Sequence, residues 1–310
     1  MHLLIPFASS DAPGCAEALR GLRLPHLEAL LQRLVLVETD AGATGTLSPP
    51  HERALARLQG LGAADGCIAW AALEARQAGL GDMQAPWAWI SPVHWRVGAH
   101  HIDMTDPQAL ALTDEESRAL MASMRPYFTE DGITLEYAAP HRWLAQGAVF
   151  DGLSCAALDR VVGRDIQDSM PARPALRRLQ NEMQMLLYTH PVNDARAAGG
   201  QTTVNSFWVS GAGRLPPAAA ADPGPDVQTD RRLRDPAVQG NWAAWAQCWV
   251  DLDRTACKDL LDRRSGSPGS RLTLCGERSA LTFGASHDTL LRRLQRRWKP
   301  ITLQSLQASL

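Results

Sequence analysis

HPVNDARAAGGQTTVNSFWVSGAG, residues His190 to Gly213, decides how this chain is read. It follows a helical run, Ala175 to Tyr188, in which Leu176, Leu179, Met183 and Leu186 recur at near-helical spacing; Pro191 marks the end of that helix. After the polar segment comes a short apolar strand, Phe207-Trp-Val209, that stops on Gly211-Ala-Gly213. Two readings of the polar residues stay open. Either His190, Asn193 and Arg196 form a cluster able to grip a phosphate or carboxylate, with Arg196 as the forked donor, or the helix ends in a cap in which His190 and Asn193 satisfy the last carbonyls. Asn205 and the glycines offer backbone N–H groups to an anion, or serve a tight turn that needs glycine in any case.

Outward from this stretch, 310 residues allow a substantial core and two domains, or one domain with a large insertion. The formal charge of −2 gives no reason to expect nucleic acid or an anionic membrane as partner. Charged residues interrupt every apolar run before the roughly 20 residues of a membrane helix, and the N-terminus is a poor signal peptide. Six cysteines (15, 67, 155, 248, 257 and 275) contain no C-x-x-C, so they read as reduced thiols of a cytoplasmic protein, not as a zinc site or disulfide framework.

Along the chain, His2 to Phe7 reads as a buried strand, Pro25 opens a helix carrying Leu27, Leu30, Leu31 and Leu34, and helices follow at His51–Leu58 and Ala69–Ala78. Trp87 to Val97 reads as a strand interrupted by Pro92. Thr113-Asp-Glu-Glu116 is a capping box opening a helix to about Met124, and strands follow at Gly132–Tyr137 and Arg142–Ala148. Arg214 to Asp230 is rich in Pro and Ala and reads as a linker. Pro236–Leu261 reads as a helix with Trp242, Trp245 and Trp249 on one side, more a packing stripe than a ligand box; Arg271–Leu274 is a strand and Ser286–Arg297 an amphipathic helix. The alternation predicts an α/β sheet covered by helices, residues 1–86 and 205–310, with an inserted smaller α+β module at residues 87–204.

His190-Pro-Val-Asn193, Arg196, Gly200, Asn205 and Gly211-Ala-Gly213 resemble the signature of the archaeal-type 2,3-bisphosphoglycerate-independent phosphoglycerate mutases, of the alkaline phosphatase superfamily. Pro25-His-Leu-Glu-Ala-Leu30, Ala72-Leu-Glu-Ala75 and Pro140-His-Arg142 are similar to further family segments. The resemblance also touches a small group of bacterial RpfE-type regulatory proteins. It implies an alkaline-phosphatase-like main sheet and a substrate-phosphate role for His141 and Arg142. Asp159-Arg160 and Arg164-Asp165 read as a loop charge cluster, expected near the same pocket.

Departures from the pattern bear on chemistry. The first strand ends Pro6-Phe-Ala-Ser-Ser10, where family members have a metal-binding Asp before Gly. Ser48-Pro-Pro-His51 is the nearest counterpart of the nucleophile segment and lacks its Asp. Near the C-terminus, Glu277 and Arg278 stand where the family has metal-binding Asp and His. Arg offers no lone pair, and a two-metal phosphoryl-transfer centre needs clustered carboxylates and His. His94, His100 and His101 have only Asp103 nearby and do not read as a metal site.

The chain is therefore expected to be a degenerate phosphoglycerate mutase-like protein, with no cofactor and a regulatory or binding role. Its partner would be a small phosphorylated or carboxylated ligand, or a protein, and its ligand-contacting residues would come from His141, Arg142, Asp159, Arg160, His190, Asn193, Arg196, Asn205, Gly211 and Gly213. The rival is an active mutase or phosphatase with rearranged ligands such as Glu277, Asp251, Asp253 and His287. A third reading is a structural interaction protein whose polar stretch only caps a helix.

Overall fold

The computed structural model describes residues 1–43, 45–82, 84–217, 226–263, 270–285 and 301–310. The expected helix at Ser286–Arg297 and part of the expected linker lie outside them. In chain order the elements are β1 (His2–Ile5), α1 (Pro13–Gly21), α2 (Pro25–Arg33), β2 (Val35–Ala41), α3 (Pro50–Leu58), α4 (Trp70–Gln77), β3 (Trp87–Val93), β4 (Trp95–Val97), β5 (Ile102–Met104) and α5 (Asp114–Glu130). Then come β6 (Thr134–Ala139), β7 (Arg142–Gln146), α6 (Leu158–Val161), α7 (Pro174–Tyr188), α8 (Pro191–Ala198), β8 (Ser206–Gly213) and β9 (Val227–Thr229). The chain closes with α9 (Arg234–Val238), α10 (Trp242–Leu252), α11 (Lys258–Asp262), β10 (Arg271–Cys275), β11 (Ser279–Gly284) and a helical turn at Leu303–Leu306.

The chain divides into two compact units, residues 1–45, 49–59 and 223–310 in the first, 46–48 and 60–222 in the second. These limits differ from the division expected at 86/87 and 204/205. Both α4 and β8 belong to the second unit, because the sheet that contains β3 also contains β8 and α4 packs on it.

The first unit is α/β, built on a mixed sheet of order β2-β11-β10-β1-β9, in which β1 is parallel to β10 and β9 while β11 is antiparallel to β10 and β2. Alternation along the strands sends Leu3, Ile5, Leu272, Leu274, Leu281 and Phe283 to one face, where they form a core with α1, α2, α10 and α11. Leu4, Cys275 and Ala280 face Ala54 of α3 on the other. Trp245 and Trp249 are buried in the first core and meet edge to face with centroids 6.1 Å apart, so the tryptophan stripe is packing.

The single helix expected over Pro236–Leu261 is broken. Gly240 adopts φ +66°, Asn241 then caps α10 by accepting the N–H of Ala244, and a π-helical turn at Asp253–Cys257 joins α10 to α11. The expected linker likewise contains β9, an edge strand too short to show periodicity. The strand β2 also escapes sequence reading, since five of its seven residues are exposed.

The second unit has an antiparallel sheet of order β6-β7-β3-β8. Ala88, Ile90, Leu135, Trp143, Ala145, Phe207 and Val209 bury one face against α5 and α7. The capping box is present as expected: Thr113 Oγ1 accepts the Glu116 N–H at 3.1 Å, and a Glu116 carboxylate oxygen accepts the Thr113 N–H at 2.8 Å. Pro92 sits inside β3, paired with Phe207 of β8. Among the described residues, no helix is long and apolar enough to cross a membrane, and all six cysteines are free.

Candidate functional site

The opening stretch is built from its ends inward. Pro191 is the first residue of α8, where its missing N–H costs nothing, and His190 is the cap. His190 Nδ1 accepts the Val192 N–H at 3.2 Å and Nε2 lies 2.9 Å from Ser123 Oγ. Accepting at Nδ1 leaves the proton on Nε2, the neutral form, and burial lowers the pKa of this imidazole in the same sense. Asn193 Nδ2 donates to the Leu187 and Val204 carbonyls, and its Oδ1 accepts the Val204 N–H at 2.8 Å. Asn193 thus satisfies a terminal carbonyl of α7 and holds the chain leading into β8.

Arg196 is 1% exposed. Its Nε donates to the Thr202 carbonyl, Nη1 to both oxygens of Glu116 at 2.9 Å, and Nη2 to the Leu110 carbonyl. Asn205 makes a reciprocal pair with the Trp95 backbone, accepting its N–H at 2.7 Å and donating to its carbonyl at 2.9 Å. The anion pocket expected at Asn193 and Arg196 is therefore corrected: these side chains spend their polar groups inside the unit, clamping α5, α7, α8 and β8. Asn193, which satisfies the Leu187 carbonyl of α7, follows the capping alternative; His190 instead caps the start of α8, and Arg196 is an ion-paired tie to α5.

His141 stands elsewhere, in the two-residue turn Pro140-His141 between β6 and β7, and Arg142 opens β7. Ser117 fixes that turn by donating to the Pro140 carbonyl at 2.7 Å while accepting from Trp143 Nε1 at 2.9 Å. The Arg142 guanidinium lies 5.0 Å from the centre of the Trp89 ring, within cation–π range, and its Nη2 donates to Glu74 at 3.2 Å. The other Glu74 oxygen accepts Trp89 Nε1 at 2.7 Å. Arg142 Nε is buried with no hydrogen-bond partner. Burial and the adjacent Arg142 lower the His141 pKa, against Asp106 and Glu74, which favours the neutral ring at pH 7.

Gly211 belongs beside this group. It has φ +60° at a bulge in β8, and a Cβ there would stand 2.8 Å from Trp89 Cε3. Gly213 approaches Ala69 closely at the start of α4. The glycines thus serve strand curvature and close packing. Asp159 and Arg160 lie on α6, where Arg160 donates to Thr46 Oγ1 at 2.8 Å.

The structure therefore gathers His141, Arg142 and Gly211 around Trp89 and Glu74, and places His190, Asn193, Arg196 and Asn205 in a separate clamp. Glu74 and Trp89 were missed in sequence. The only signal was Glu74 inside Ala72-Leu-Glu-Ala75.

The residues at the carboxyl ends of β1 and β10 do not fit a two-metal centre. Ala8 is fully buried, with its N–H on the Cys275 carbonyl, and Arg278 lies 3.6 Å from Asp11. Asp253 caps α2, accepting the Leu27 N–H at 2.7 Å and pairing with His26 Nδ1 at 2.8 Å. Asp251 accepts from Gln247. His287 lies outside the described residues. Among the described residues, no three or more His, Cys, Asp or Glu side chains group as metal ligands. Ser48, compared with the nucleophile, accepts the Gly66 N–H through its Oγ.

Fold and site define an α/β protein of two units, the second carrying a Trp-supported arginine. No protein-family model and no curated protein matches the chain. Among solved structures it is similar to a cofactor-independent phosphoglycerate mutase from Thermoplasma acidophilum DSM 1728, at 14% identity over 93% of this chain and 90% of that one, with a TM-score of 0.39. It is also similar to the PH0037 protein from Pyrococcus horikoshii, at 12% identity over 92% and 87%, with a TM-score of 0.48.

Proposed function

We propose that this chain is a catalytically degenerate phosphoglycerate mutase-like protein that binds a small phosphorylated or carboxylated ligand, with Arg142 and His141 as its anchors. The supporting observation is the unfinished hydrogen bonding of Arg142. Its guanidinium is oriented by Trp89 and by one corner of Glu74, yet Nε is buried without a partner. A buried donor without an acceptor costs about 1–3 kcal/mol, and an oxyanion is the acceptor a guanidinium fork matches best. A neutral His141 adds a further donor.

Inorganic phosphate is expected to raise the melting temperature of the wild-type chain, by mass action on the native state, and Arg142→Met is expected to abolish that rise while retaining the wild-type circular dichroism. No response to phosphate, or an equal response in the variant, removes the ligand reading. Elemental analysis separates the enzyme rival: two transition metals per chain, with mutase activity abolished by a chelator, would establish it and overturn the degenerate reading.

A further inference from the structure

The face of the first sheet that carries α3 is not uniformly apolar. On it, His2 of β1, Thr273 of β10 and Thr282 of β11 form a polar ladder: His2 Nε2 is 2.7 Å from Thr273 Oγ1, which is 2.8 Å from Thr282 Oγ1. All three residues are buried, His2 to 5% exposure. Thr273 lies between Leu272 and Leu274, in a strand where Val would fill the same space without a hydroxyl to satisfy. Beside the ladder is a cavity of about 150 Å³, lined by His2, Thr273, Thr282, Glu38, Arg57 and the apolar Ala54 and Leu58.

Three lining groups retain unused hydrogen-bonding capacity among the described residues. His2 is bonded only through Nε2, which leaves Nδ1 over. Arg57 uses Nε on Glu38 and Nη1 on Asp40, each at 3.0 Å, which leaves Nη2; Glu38 uses Oε1, which leaves Oε2. The Arg57 and Glu38 side chains are 41% and 45% exposed, so they form the rim above the buried ladder.

Size and charge select the occupant. A dry cavity of about 150 Å³ accommodates a benzene ring, so the space fits one six-membered ring. The sheet side of the lining is polar, while α3 supplies the apolar Ala54 and Leu58 together with Arg57 at the rim. Glu38 balances Arg57, and burial with the nearby Arg271 lowers the His2 pKa to about 4, so that the ring is neutral at pH 7. A ligand carboxylate or phosphate would meet Glu38 as a like charge. Arg57 is a permanent donor and Glu38 a permanent acceptor, a combination that complements an amide edge.

We propose that this cavity binds a small uncharged ring with an amide-like edge, its carbonyl toward Arg57, its N–H toward Glu38 and its apolar side against Ala54 and Leu58. The assignment is independent of the Arg142 site, which lies in the other unit.

The test uses 2-pyridone, a neutral lactam ring, with toluene and benzoate as the apolar and anionic controls, on the full chain. Melting temperature is one readout. The second is the His2 imidazole ¹⁵N signal, identified by its absence in His2→Gln. Expected results are a rise of several degrees with 2-pyridone, smaller rises with either control, a displaced His2 signal, and loss of both effects in Ala54→Leu, which fills the space. Leu58→Phe serves the same purpose if Ala54→Leu does not fold. An unchanged melting temperature and an unmoved His2 signal mean that the cavity holds water alone and overturn the proposal. A larger rise with toluene or benzoate overturns the ligand class, and an undiminished rise in the filled variant overturns the location.

Discussion

Arg196→Met is expected to destabilise the protein by roughly 3–5 kcal/mol, the range for breaking a buried ion pair by removing one partner. The substitution keeps most of the apolar stem, so the loss falls on the polar groups. Glu116 loses its cation, and the Thr202 and Leu110 carbonyls lose their donor in a region with 1% exposure at residue 196. Urea unfolding at neutral pH measures the effect; a change below about 1 kcal/mol, the size expected of an exposed pair, would remove the clamp from the account. A pH dependence accompanies it. Burial pushes the Glu116 pKa up, but the Thr113 N–H and the bond and charge of Arg196 outweigh burial and hold it below the ordinary carboxylate value. A folded pKa depressed in this way contributes stability that is present above the unfolded value and lost as pH falls through the folded one. The gap between wild type and Glu116→Gln should therefore narrow on acidification, and should be smaller at every pH when Arg196 is already Met.

Gly211→Val is expected to cost about 2–5 kcal/mol. Forcing a residue with a Cβ into the left-handed region contributes about 1–2 kcal/mol, and overpacking a filled site about 1–3. The added Cβ would stand 2.8 Å from the Trp89 ring and 3.2 Å from Trp70 Cβ, both held by the sheet and α4. Gly200→Ala supplies the control. Gly200 has φ +68° with nothing within 4 Å of an added Cβ, so only the conformational part remains, about 1–2 kcal/mol. Equal losses at the two glycines would show that the Trp89 contact adds nothing. Because Arg142 lies over that ring, Gly211→Val should also weaken the phosphate response wherever enough folded protein remains.

Legibility followed the physics of each segment. Long amphipathic runs and the Thr113–Glu116 box declared themselves, because periodicity and capping are local. The limits of β2 and β9 did not, because edge strands carry little buried pattern, and their places are set by β11 and β1 across the chain. In the polar stretch the residue types were informative and their use was not. Arg196 has the same letter whether it faces a ligand or Glu116, and only the position of α5 decides between them. Arg142 was singled out beside a turn, yet Glu74 and Trp89, which orient it, come from α4 and β3. The polar ladder was hidden for a similar reason: His2, Thr273 and Thr282 are each unremarkable in a strand, and they meet only through sheet register.

The placement of β1 sets an order of assembly. His2 pairs with Val227 on one side and Arg271 on the other, so this interior strand of the first sheet emerges from the ribosome more than 200 residues before either neighbour. Residues 60–222 can meanwhile close their own antiparallel sheet and core. Domains that complete early fold first during synthesis, whereas pairings between distant parts of the chain are slow. Hydrogen exchange on chains stalled near residue 222 should find α5 and α7 protected and β1 open. Until β9 and β10 arrive, Leu3, Leu4 and Ile5 form a bare hydrophobic strand, and it is in this interval of its synthesis that the protein is most exposed to chaperones and to aggregation.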